Sequence, residues 1–186
     1  MVVEETRIPG LLVVGAGAAV DERGWFREVV RVGELSAASG VPPEFRQVNH
    51  AHTAAGGLRG FHAEPWSKLV YVVRGTAFCA IADVRVDSPT FGATETFLLG
   101  DPPGSAAALF LADGLANAYC AVTDVDYVYL VTAEWSPDAD KRAVAWDDPD
   151  LAVAWPVTDP VLSPADAANP TLRERFGDHP RLHRPT

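Results

Sequence analysis

The sequence is short of positive charge, and this shortage excludes two classes of partner. Lysine and arginine together number 15 against 25 aspartate and glutamate residues, which gives a formal net charge of -10 at pH 7. An acidic surface repels the phosphates of nucleic acid and of anionic lipids, so neither a nucleic acid nor a membrane is an expected partner. Any phosphate-containing ligand must therefore be held by a local group of basic side chains.

Cysteine is also scarce, occurring only at Cys79 and Cys120. Each lies in an apolar run that reads as a strand, where a reduced and buried thiol is the usual state. The pattern is not that of a secreted, disulfide-stapled domain, although a single disulfide remains an alternative. The first ten residues contain Glu4 and Glu5 and no apolar run of signal-peptide length, so we expect a cytoplasmic protein.

Helical patterns are rare, and most of the chain reads as short strands separated by turn residues. Hydrophobic residues make up 48% and charged residues 22% of the chain, the balance of a folded globular protein. Strands are predicted over residues 11–16, 44–50, 68–74, 76–86, 94–99, 107–111, 118–123 and 126–133. Many short strands without helices between them favour an all-β sandwich or barrel.

Only two helices are predicted with any local signal. One covers residues 32–38, and another follows Ser163, because Ser163 suits an N-cap and Pro164 suits the first helical position. From Ser136 onward the chain becomes rich in proline and aspartate, which predicts a tail of loops and short helices, residues 136–186, wrapping the barrel. With no repeat or linker in view, we predict one domain over residues 1–186.

Histidine is concentrated, with three of the five histidines at His50, His52 and His62. A zinc or iron site in a small barrel needs three or four imidazole or carboxylate ligands, and Glu64 could join these histidines. In the double-motif cupins, which the sequence resembles, a later turn supplies a further histidine. Here that position is Asn117, and an amide is a poor transition-metal ligand. We therefore predict no metal and keep a metallo-cupin oxygenase or isomerase as an alternative.

Lysine occurs only at Lys68 and Lys141. Lys68 begins an apolar strand six residues after His62. It could be an edge lysine that hinders pairing between molecules, or a point charge that holds an oxyanion beside a histidine base. The spacing leaves both interpretations open.

Eight short strings together carry a family resemblance. They are VDERGWFRE (20–28), QVN (47–49), LRGFH (58–62), KLV (68–70), SPTFG (88–92), DDP (147–149), WP (155–156) and LSPAD (162–166). In number and order they resemble the dTDP-4-dehydrorhamnose 3,5-epimerase family over roughly residues 8–172. The resemblance implies a jelly-roll, cupin-like barrel that works as a homodimer, uses no metal or other cofactor and binds a dTDP-linked 4-keto sugar.

The resemblance also implies roles for individual residues. Four catalytic positions of the family fall on His62 (the general base), Asp166 (which orients that base), Lys68 and Tyr129 (the general acid). The family positions that hold the nucleotide and the sugar fall on Arg23, Phe26, Glu28, Gln47, Asn49 and Arg59, with Trp135 stacking on the thymine. Asn117 and Asp140 also fall on substrate-binding positions, where many members have a histidine and a glutamate, and Ala165 replaces a lysine. These departures bear on sugar preference more than on the reaction class.

These side chains suit removal of a proton next to a ketone. A histidine held by a carboxylate can accept the proton, an ammonium group can stabilise the enolate, and a tyrosine on the other face can return a proton. The predicted reaction is epimerisation at carbons 3 and 5 of a dTDP-4-keto-6-deoxyhexose. A carbon-3-only epimerase of a deoxysugar pathway and a binding module that has lost catalysis remain alternatives.

Each candidate also has a purely structural interpretation. Asp166 follows Ser163 at the spacing of a capping box, so its role could be limited to the start of a helix. The role of Tyr129 could likewise be limited to packing in the sheet. Period-two alternation places Gln47 and Asn49 on one face, whereas Arg59 and His62 have opposite parity unless a bulge at Gly60 realigns them. We predict that bulge.

Overall fold

The computed structural model describes residues 1–40, 42–101, 106–139, 141–177, 179 and 182. The strands of this part of the chain are β1 (Val2–Glu5), β2 (Leu11–Gly15), β3 (Ala19–Asp21), β4 (Gly24–Phe26), β5 (Gln47–Thr53), β6 (Leu58–His62), β7 (Lys68–Arg74), β8 (Thr76–Asp83), β9 (Thr94–Gly100), β10 (Ala108–Leu111), β11 (Leu115–Ala121) and β12 (Val125–Val131). The helices are α1 (Val32–Ser39), α2 (Pro164–Ala167) and α3 (Leu172–Phe176). The predicted all-β class is confirmed.

The strands form two antiparallel sheets and a separate hairpin. One sheet has the order β1-β2-β10-β7-β12-β5, the second has the order β6-β11-β8-β9, and β3 pairs with β4 alone. From β5 to β12 the chain passes back and forth between the two sheets, which is the connection pattern of a jelly roll. The predicted jelly-roll, cupin-like barrel is therefore confirmed.

The main hydrophobic core lies between the two sheets. It joins side chains of the six-stranded sheet, such as Val70 and Val72 of β7, to side chains of the four-stranded sheet, such as Cys79 and Ile81 of β8. Burial of each such aliphatic side chain stabilises the fold by roughly 1.5–3 kcal/mol relative to exposure. Cys79 and Cys120 are both buried and free, so the disulfide alternative is wrong.

The outer faces of both sheets are also covered in part. Leu35 of α1 packs on the six-stranded sheet. Val144 and Leu172 of the C-terminal segment pack on the four-stranded sheet. Because both faces are buried, strands such as β8 and β10 read as nearly continuous apolar runs instead of alternating ones.

The C-terminal segment also closes an open strand edge. The backbone of Phe61 in β6 exchanges two hydrogen bonds of 3.1 Å with Val144, and Leu58 N–H donates to the carbonyl of Val161 at 3.0 Å. Edge strands expose polar backbone groups that can pair with other chains, and these contacts satisfy the N–H groups of Leu58 and Phe61 and the carbonyl of Phe61. From residue 136 onward the described chain carries α2, α3 and no named strand.

Several boundaries differ from those predicted. The strand predicted over residues 76–86 ends at Asp83, because the Asp83 carboxylate accepts the backbone N–H of Arg85 at 3.1 Å and starts a turn. The strand predicted over residues 44–50 covers Gln47–Thr53 instead. β1 and the β3–β4 hairpin were not predicted, and β6 was predicted only through the strand that a bulge at Gly60 requires. Within the described residues, none of the three helices has the length and apolar character of a membrane-spanning segment.

Candidate active site

A cavity of about 130 Å³ lies between the sheets, and three of the four predicted catalytic side chains line it. The lining residues are Ala51, Arg59, His62, Glu64, Lys68, Asn117, Tyr119, Tyr127 and Tyr129. The fourth predicted catalytic residue, Asp166, lines an adjoining cavity of about 270 Å³ and contacts His62. The two cavities share Arg59.

His62 ends β6, and its ring Nε2 lies 2.5 Å from Oδ1 of Asp166. The side chain of Asp166 is only 7% exposed, whereas that of His62 is 42% exposed and accessible from the cavity. The capping interpretation of this segment is also correct, because Ser163 Oγ accepts the backbone N–H of Asp166 at 3.0 Å. The two roles use different atoms: the backbone of Asp166 begins α2, and its carboxylate contacts the imidazole.

The environment of Asp166 keeps its carboxylate charged. Burial alone would raise the pKa of Asp166, but hydrogen bonds from His62, Ser163 and the Gly60 backbone lower the pKa below its usual value. An ionised carboxylate can only accept hydrogen bonds, so the Nε2 atom of His62 must donate to it. In the neutral ring this tautomer leaves Nδ1 as the nitrogen that can accept a proton.

The bulge predicted at Gly60 is confirmed. Asn117 of β11 pairs with His62, whereas Tyr119 pairs with Arg59, so β6 carries one extra residue between these two pairs. Gly60 has a φ of 120°, and a Cβ atom there would lie 2.5 Å from the Cβ of Ala118. The bulge brings Arg59 and His62 to the same cavity despite their opposite parity.

Lys68 begins β7, and its side chain is 5% exposed. The ammonium group donates to Oδ1 of Asn117 at 2.7 Å and to the His62 carbonyl at 3.2 Å, and it forms an ion pair with Glu64. Burial lowers the pKa of Lys68, and the carboxylate of Glu64 opposes this effect. Its contacts point into the site, unlike those of a lysine that only guards a strand edge.

Tyr129 lies on β12, across the cavity from β6. Burial raises the pKa of Tyr129, and the negative charge of Glu64 adds to this effect. The phenol is therefore protonated at neutral pH and can donate a proton. Tyr127, on the same face, stacks on Tyr119 with ring centroids 4.0 Å apart and forms the inner wall.

Three of the predicted substrate-binding residues form a second group beside Tyr129. Gln47 Nε2 donates to Asn49 Oδ1 at 2.7 Å, and Gln47 Oε1 accepts the backbone N–H of Trp135 at 2.7 Å. Asn49 pairs with Tyr129 across the β5–β12 ladder. Trp135 is 57% exposed, and the Lys141 ammonium lies over its ring, 4.8 Å from the centroid, so the other face of the ring is available to stack on a ligand.

Arg23, Phe26 and Glu28 do not line the cavity. Arg23 pairs with Asp21 at 2.5 Å, and Glu28 pairs with Arg31 at 2.7 Å, which are surface contacts within their own segment. Phe26 ends β4 and is 71% exposed. Asp140 lies outside the described residues.

The histidines nominated as metal ligands do not converge. Burial alternates along β5, so Gln47 and Asn49 share one face as predicted. That face points inward, whereas His50 and His52 face outward. Both outer histidines contact Asp126, at 3.3 and 3.1 Å, while His62 contacts Asp166. Among the described residues, no cluster of three or more histidine, cysteine, aspartate or glutamate side chains is arranged to hold a metal ion.

Sequence reasoning missed part of the site. It considered Glu64 only as a metal ligand, and it did not consider Tyr119 or Thr53. Thr53 Oγ1 accepts the Nε–H of Arg59 at 3.0 Å and lies 2.8 Å from the hydroxyl of Tyr119. The position of Glu64 between His62 and Lys68, four residues before the lysine, was an available signal.

Comparison with known proteins gives a consistent result. The family model described as dTDP-4-dehydrorhamnose 3,5-epimerase matches residues 5–174. A dTDP-4-dehydrorhamnose 3,5-epimerase of Mycobacterium tuberculosis is 36% identical over 94% of this chain and 89% of its own length. A dTDP-4-dehydrorhamnose 3-epimerase of Streptomyces niveus is 34% identical over 86% of this chain and 78% of its own length.

Two solved structures show the same fold. A 4-keto-6-deoxy sugar epimerase from the novobiocin gene cluster of Streptomyces spheroides is similar with a TM-score of 0.87 and 32% identity, over 94% of this chain and 88% of that one. An epimerase of Legionella pneumophila in complex with dTDP-4-keto-L-rhamnose has a TM-score of 0.83 and 30% identity, over 92% of each chain.

Proposed function

The chain belongs to the dTDP-4-dehydrorhamnose 3,5-epimerase family, and we propose that it performs this reaction with His62 as the base, Lys68 at the enolate oxygen and Tyr129 as the acid. The protein is an isomerase that inverts carbons 3 and 5 of dTDP-4-dehydro-6-deoxyglucose to give dTDP-4-dehydrorhamnose. One observation carries the assignment of roles. His62, Lys68 and Tyr129 line one cavity, and Asp166 holds the imidazole of His62 at 2.5 Å.

His62 takes the proton from the carbon beside the ketone. The C–H bond breaks, its proton moves to the imidazole, and its electron pair passes into an enolate on the ketone oxygen. The Asp166 carboxylate keeps the ring in the accepting tautomer and stabilises the imidazolium that forms. Because Asp166 is ionised and nearly buried, its charge acts on the ring with little solvent screening.

Lys68 stabilises the negative oxygen. Its ammonium group is buried in the cavity wall, where a fixed donor can contribute about 3 kcal/mol to transition-state stabilisation. Asn117 accepts a hydrogen bond from this ammonium at 2.7 Å, at a position where the family resemblance implies a histidine in many members. We propose that the Asn117 amide holds Lys68 at the ketone oxygen.

Inversion requires that the proton return from the opposite face of the sugar. His62 belongs to the four-stranded sheet and Tyr129 to the six-stranded sheet, so the two side chains enter the cavity from facing walls. A sugar ring held between them has the base on one side and the acid on the other. This placement supports Tyr129 as the acid.

The nucleotide must bind outside the inner cavity, because about 130 Å³ is too small for more than a sugar. We propose that Arg59 binds the diphosphate, since a guanidinium matches phosphate geometry and this side chain lies between the two cavities. Gln47, Asn49 and the exposed indole of Trp135 then hold the thymidine, with Asp140 as a further proposed contact.

We also propose a homodimer in which the β3–β4 hairpin of one copy completes the site of the other. The hairpin pairs with neither main sheet, and its apolar side chains Val20, Trp25 and Phe26 are 78%, 57% and 71% exposed. Arg23, Phe26 and Glu28 do not line the cavity of their own chain. Light scattering should give a particle of twice the 19.9 kDa chain mass, and a stable monomer would contradict the dimer.

Three broader expectations remain proposals. The net charge of -10 supports the proposal that the protein does not bind nucleic acid, because an acidic surface repels the phosphate backbone. Two buried, free cysteines suit the reducing cytoplasm. The packing of Val144 and Leu172 against the four-stranded sheet supports a single domain with its tail on the barrel.

Incubation with dTDP-4-keto-6-deoxyglucose in deuterated water tests the reaction. Deuterium should appear at carbons 3 and 5, and Tyr129→Phe should slow formation of inverted product by about 10²-fold or more because the acid is lost. Exchange at carbon 3 alone would favour the second candidate, a 3-epimerase, which the Streptomyces niveus relative supports. If dTDP binds but neither carbon exchanges, the chain is a binding module.

A further inference from the structure

Glu64 is a cavity residue to which the proposed mechanism gives no role. Its segment, residues 63–67, links β6 to β7 and is fixed by backbone contacts. Ala63 accepts a hydrogen bond from Arg142 N–H at 2.8 Å, Glu64 accepts one from Gly114 N–H at 3.1 Å, and Ser67 N–H donates to Thr132 Oγ1 at 3.0 Å. The carboxylate of Glu64 is therefore held at a defined place in the wall.

The carboxylate of Glu64 points at Lys68. Its side chain is 18% exposed, and its buried Oε2 atom forms an ion pair with the ammonium group. Lys68 also donates to Asn117 Oδ1 at 2.7 Å and to the His62 carbonyl at 3.2 Å, so oxygen atoms of three residues surround its ammonium group. Glu64 is the only one of the three that carries a charge.

We propose that Glu64 is a positioning residue that keeps the buried Lys68 ammonium protonated and directed into the cavity. This inference rests on the proposed function, in which a charged Lys68 stabilises the enolate. The ketone oxygen can share a proton of the ammonium group, most readily the one on the 3.2 Å contact with the His62 carbonyl. Asn117 and Glu64 then hold the ammonium from the protein side.

The need for such a counter-ion follows from burial. Moving an ammonium group out of water favours its neutral form, and a carboxylate in contact reverses this preference. The other ionisable groups facing Lys68 are Arg59 and His62 on β6, Tyr119 on β11, and Tyr127 and Tyr129 on β12, with Asp166 behind His62. Among the described residues that line the cavity, Glu64 is the one carboxylate, so no other lining group can replace its charge.

The chain allows a direct test because Lys68 and Lys141 are its only lysines. In protein labelled with 13C at lysine Cε, two signals can be followed by NMR across a pH series, with Lys141 as the internal reference. In Glu64→Gln, we expect the midpoint of the Lys68 titration to move about 1–3 pH units lower. The Lys141 curve should stay the same.

Two variants serve as controls. Glu95→Gln removes a carboxylate of similar exposure, 15%, that pairs with Arg7 outside the cavity, and it should leave the Lys68 curve unchanged. Glu64→Asp keeps the charge and should move the midpoint less than Glu64→Gln does. An unchanged Lys68 midpoint in Glu64→Gln, or an equal movement in all three variants, would overturn the inference.

The same proteins link the titration to catalysis. In Glu64→Gln, the alkaline limb of the pH profile for deuterium exchange should move to lower pH together with the Lys68 midpoint, while the acid-side rate changes little. If Lys68 titrates as expected but wild-type protein exchanges no deuterium, the counter-ion inference stands and the proposed function fails. If exchange occurs but the alkaline limb of its pH profile is the same in Glu64→Gln as in wild type, only the role of Glu64 in catalysis is wrong.

Discussion

The barrel carries two histidine–aspartate clusters with the same chemical groups in different environments. The inner pair, His62 with Asp166, is 2.5 Å apart, and its carboxylate is 7% exposed. The outer cluster, His50 and His52 with Asp126, has contacts of 3.3 and 3.1 Å, histidines that are 60% and 61% exposed and a carboxylate that is 22% exposed.

Both clusters lower the pKa of their aspartate, but for different reasons. For Asp126 the largest cause is the hydrogen bond from His52. For Asp166 the largest effect is burial, which raises the pKa, and several hydrogen bonds together overcome it. Water and salt screen the outer charges, whereas the inner carboxylate acts on one fixed ring. His52 also lines a cavity, so a histidine–aspartate contact indicates a reactive base only where the carboxylate is buried as well.

The largest expected effect comes from removing the two kinds of histidine in turn. His62→Asn should reduce deuterium exchange about 10³-fold, because general-base catalysis typically contributes 10²–10⁴-fold. His50→Asn should leave the exchange rate unchanged, because His50 contacts Asp126 and lines neither cavity. Substrate exchange followed by NMR measures both. If both variants lose exchange activity to a similar extent, the inner and outer histidines do not differ in function as proposed.

The next effect comes from the aspartates. Asp166→Asn should reduce the exchange rate about 10²-fold, since an amide no longer fixes the accepting tautomer of His62 or stabilises the imidazolium. Asp126→Asn is the matched control and should exchange at the wild-type rate. If Asp166→Asn exchanges at the wild-type rate, the role of Asp166 is limited to beginning α2.

A smaller effect is expected in the pH dependence of stability. The pKa of Asp166 is lowered by folding, so its ionised form stabilises the protein above the unfolded pKa of about 3.9, and this contribution disappears as the pH falls through the lower folded value. In urea titrations, the difference in unfolding free energy between wild type and Asp166→Asn should therefore become smaller as the pH falls from 6 to 3. If the difference in unfolding free energy does not change with pH, packing of the side chain alone accounts for the lower stability of Asp166→Asn.

The smallest effect distinguishes the clusters by salt. Any difference in melting temperature between wild type and Asp126→Asn should shrink as salt rises from about 0.05 to 0.5 M, because the screening length then falls to a few ångströms. The difference for Asp166→Asn should persist. A salt-resistant difference at Asp126 would mean that the outer cluster is not merely a solvated contact.

Local patterns predicted much of the fold. Alternation along β5 placed Gln47 and Asn49 on one face, the glycine at position 60 marked the bulge, and Ser163 with Pro164 marked the start of α2. These features depend on a few neighbouring residues, so the sequence alone contains them. The β3–β4 hairpin was missed because its strands have three residues each and lack a buried face.

The site itself depended on the family resemblance. His62 and Asp166 are 104 residues apart, and no periodicity joins them. The contact of Glu64 with Lys68 depends on how the segment between β6 and β7 folds back, since both residues could equally face solvent in an extended chain. The period-two alternation along strands does not predict such contacts, because it indicates which face of the sheet a side chain occupies and not which residue lies opposite.

The proposed base and acid stand on different sheets, so the width of the hydrophobic core sets the gap that the sugar must bridge. Facing sheets pack about 10 Å apart, and the aliphatic side chains between them fix that spacing. Enlarging a small core side chain between the sheets would therefore displace His62 relative to Tyr129 without changing any polar group, and it would destabilise the fold by about 1–3 kcal/mol.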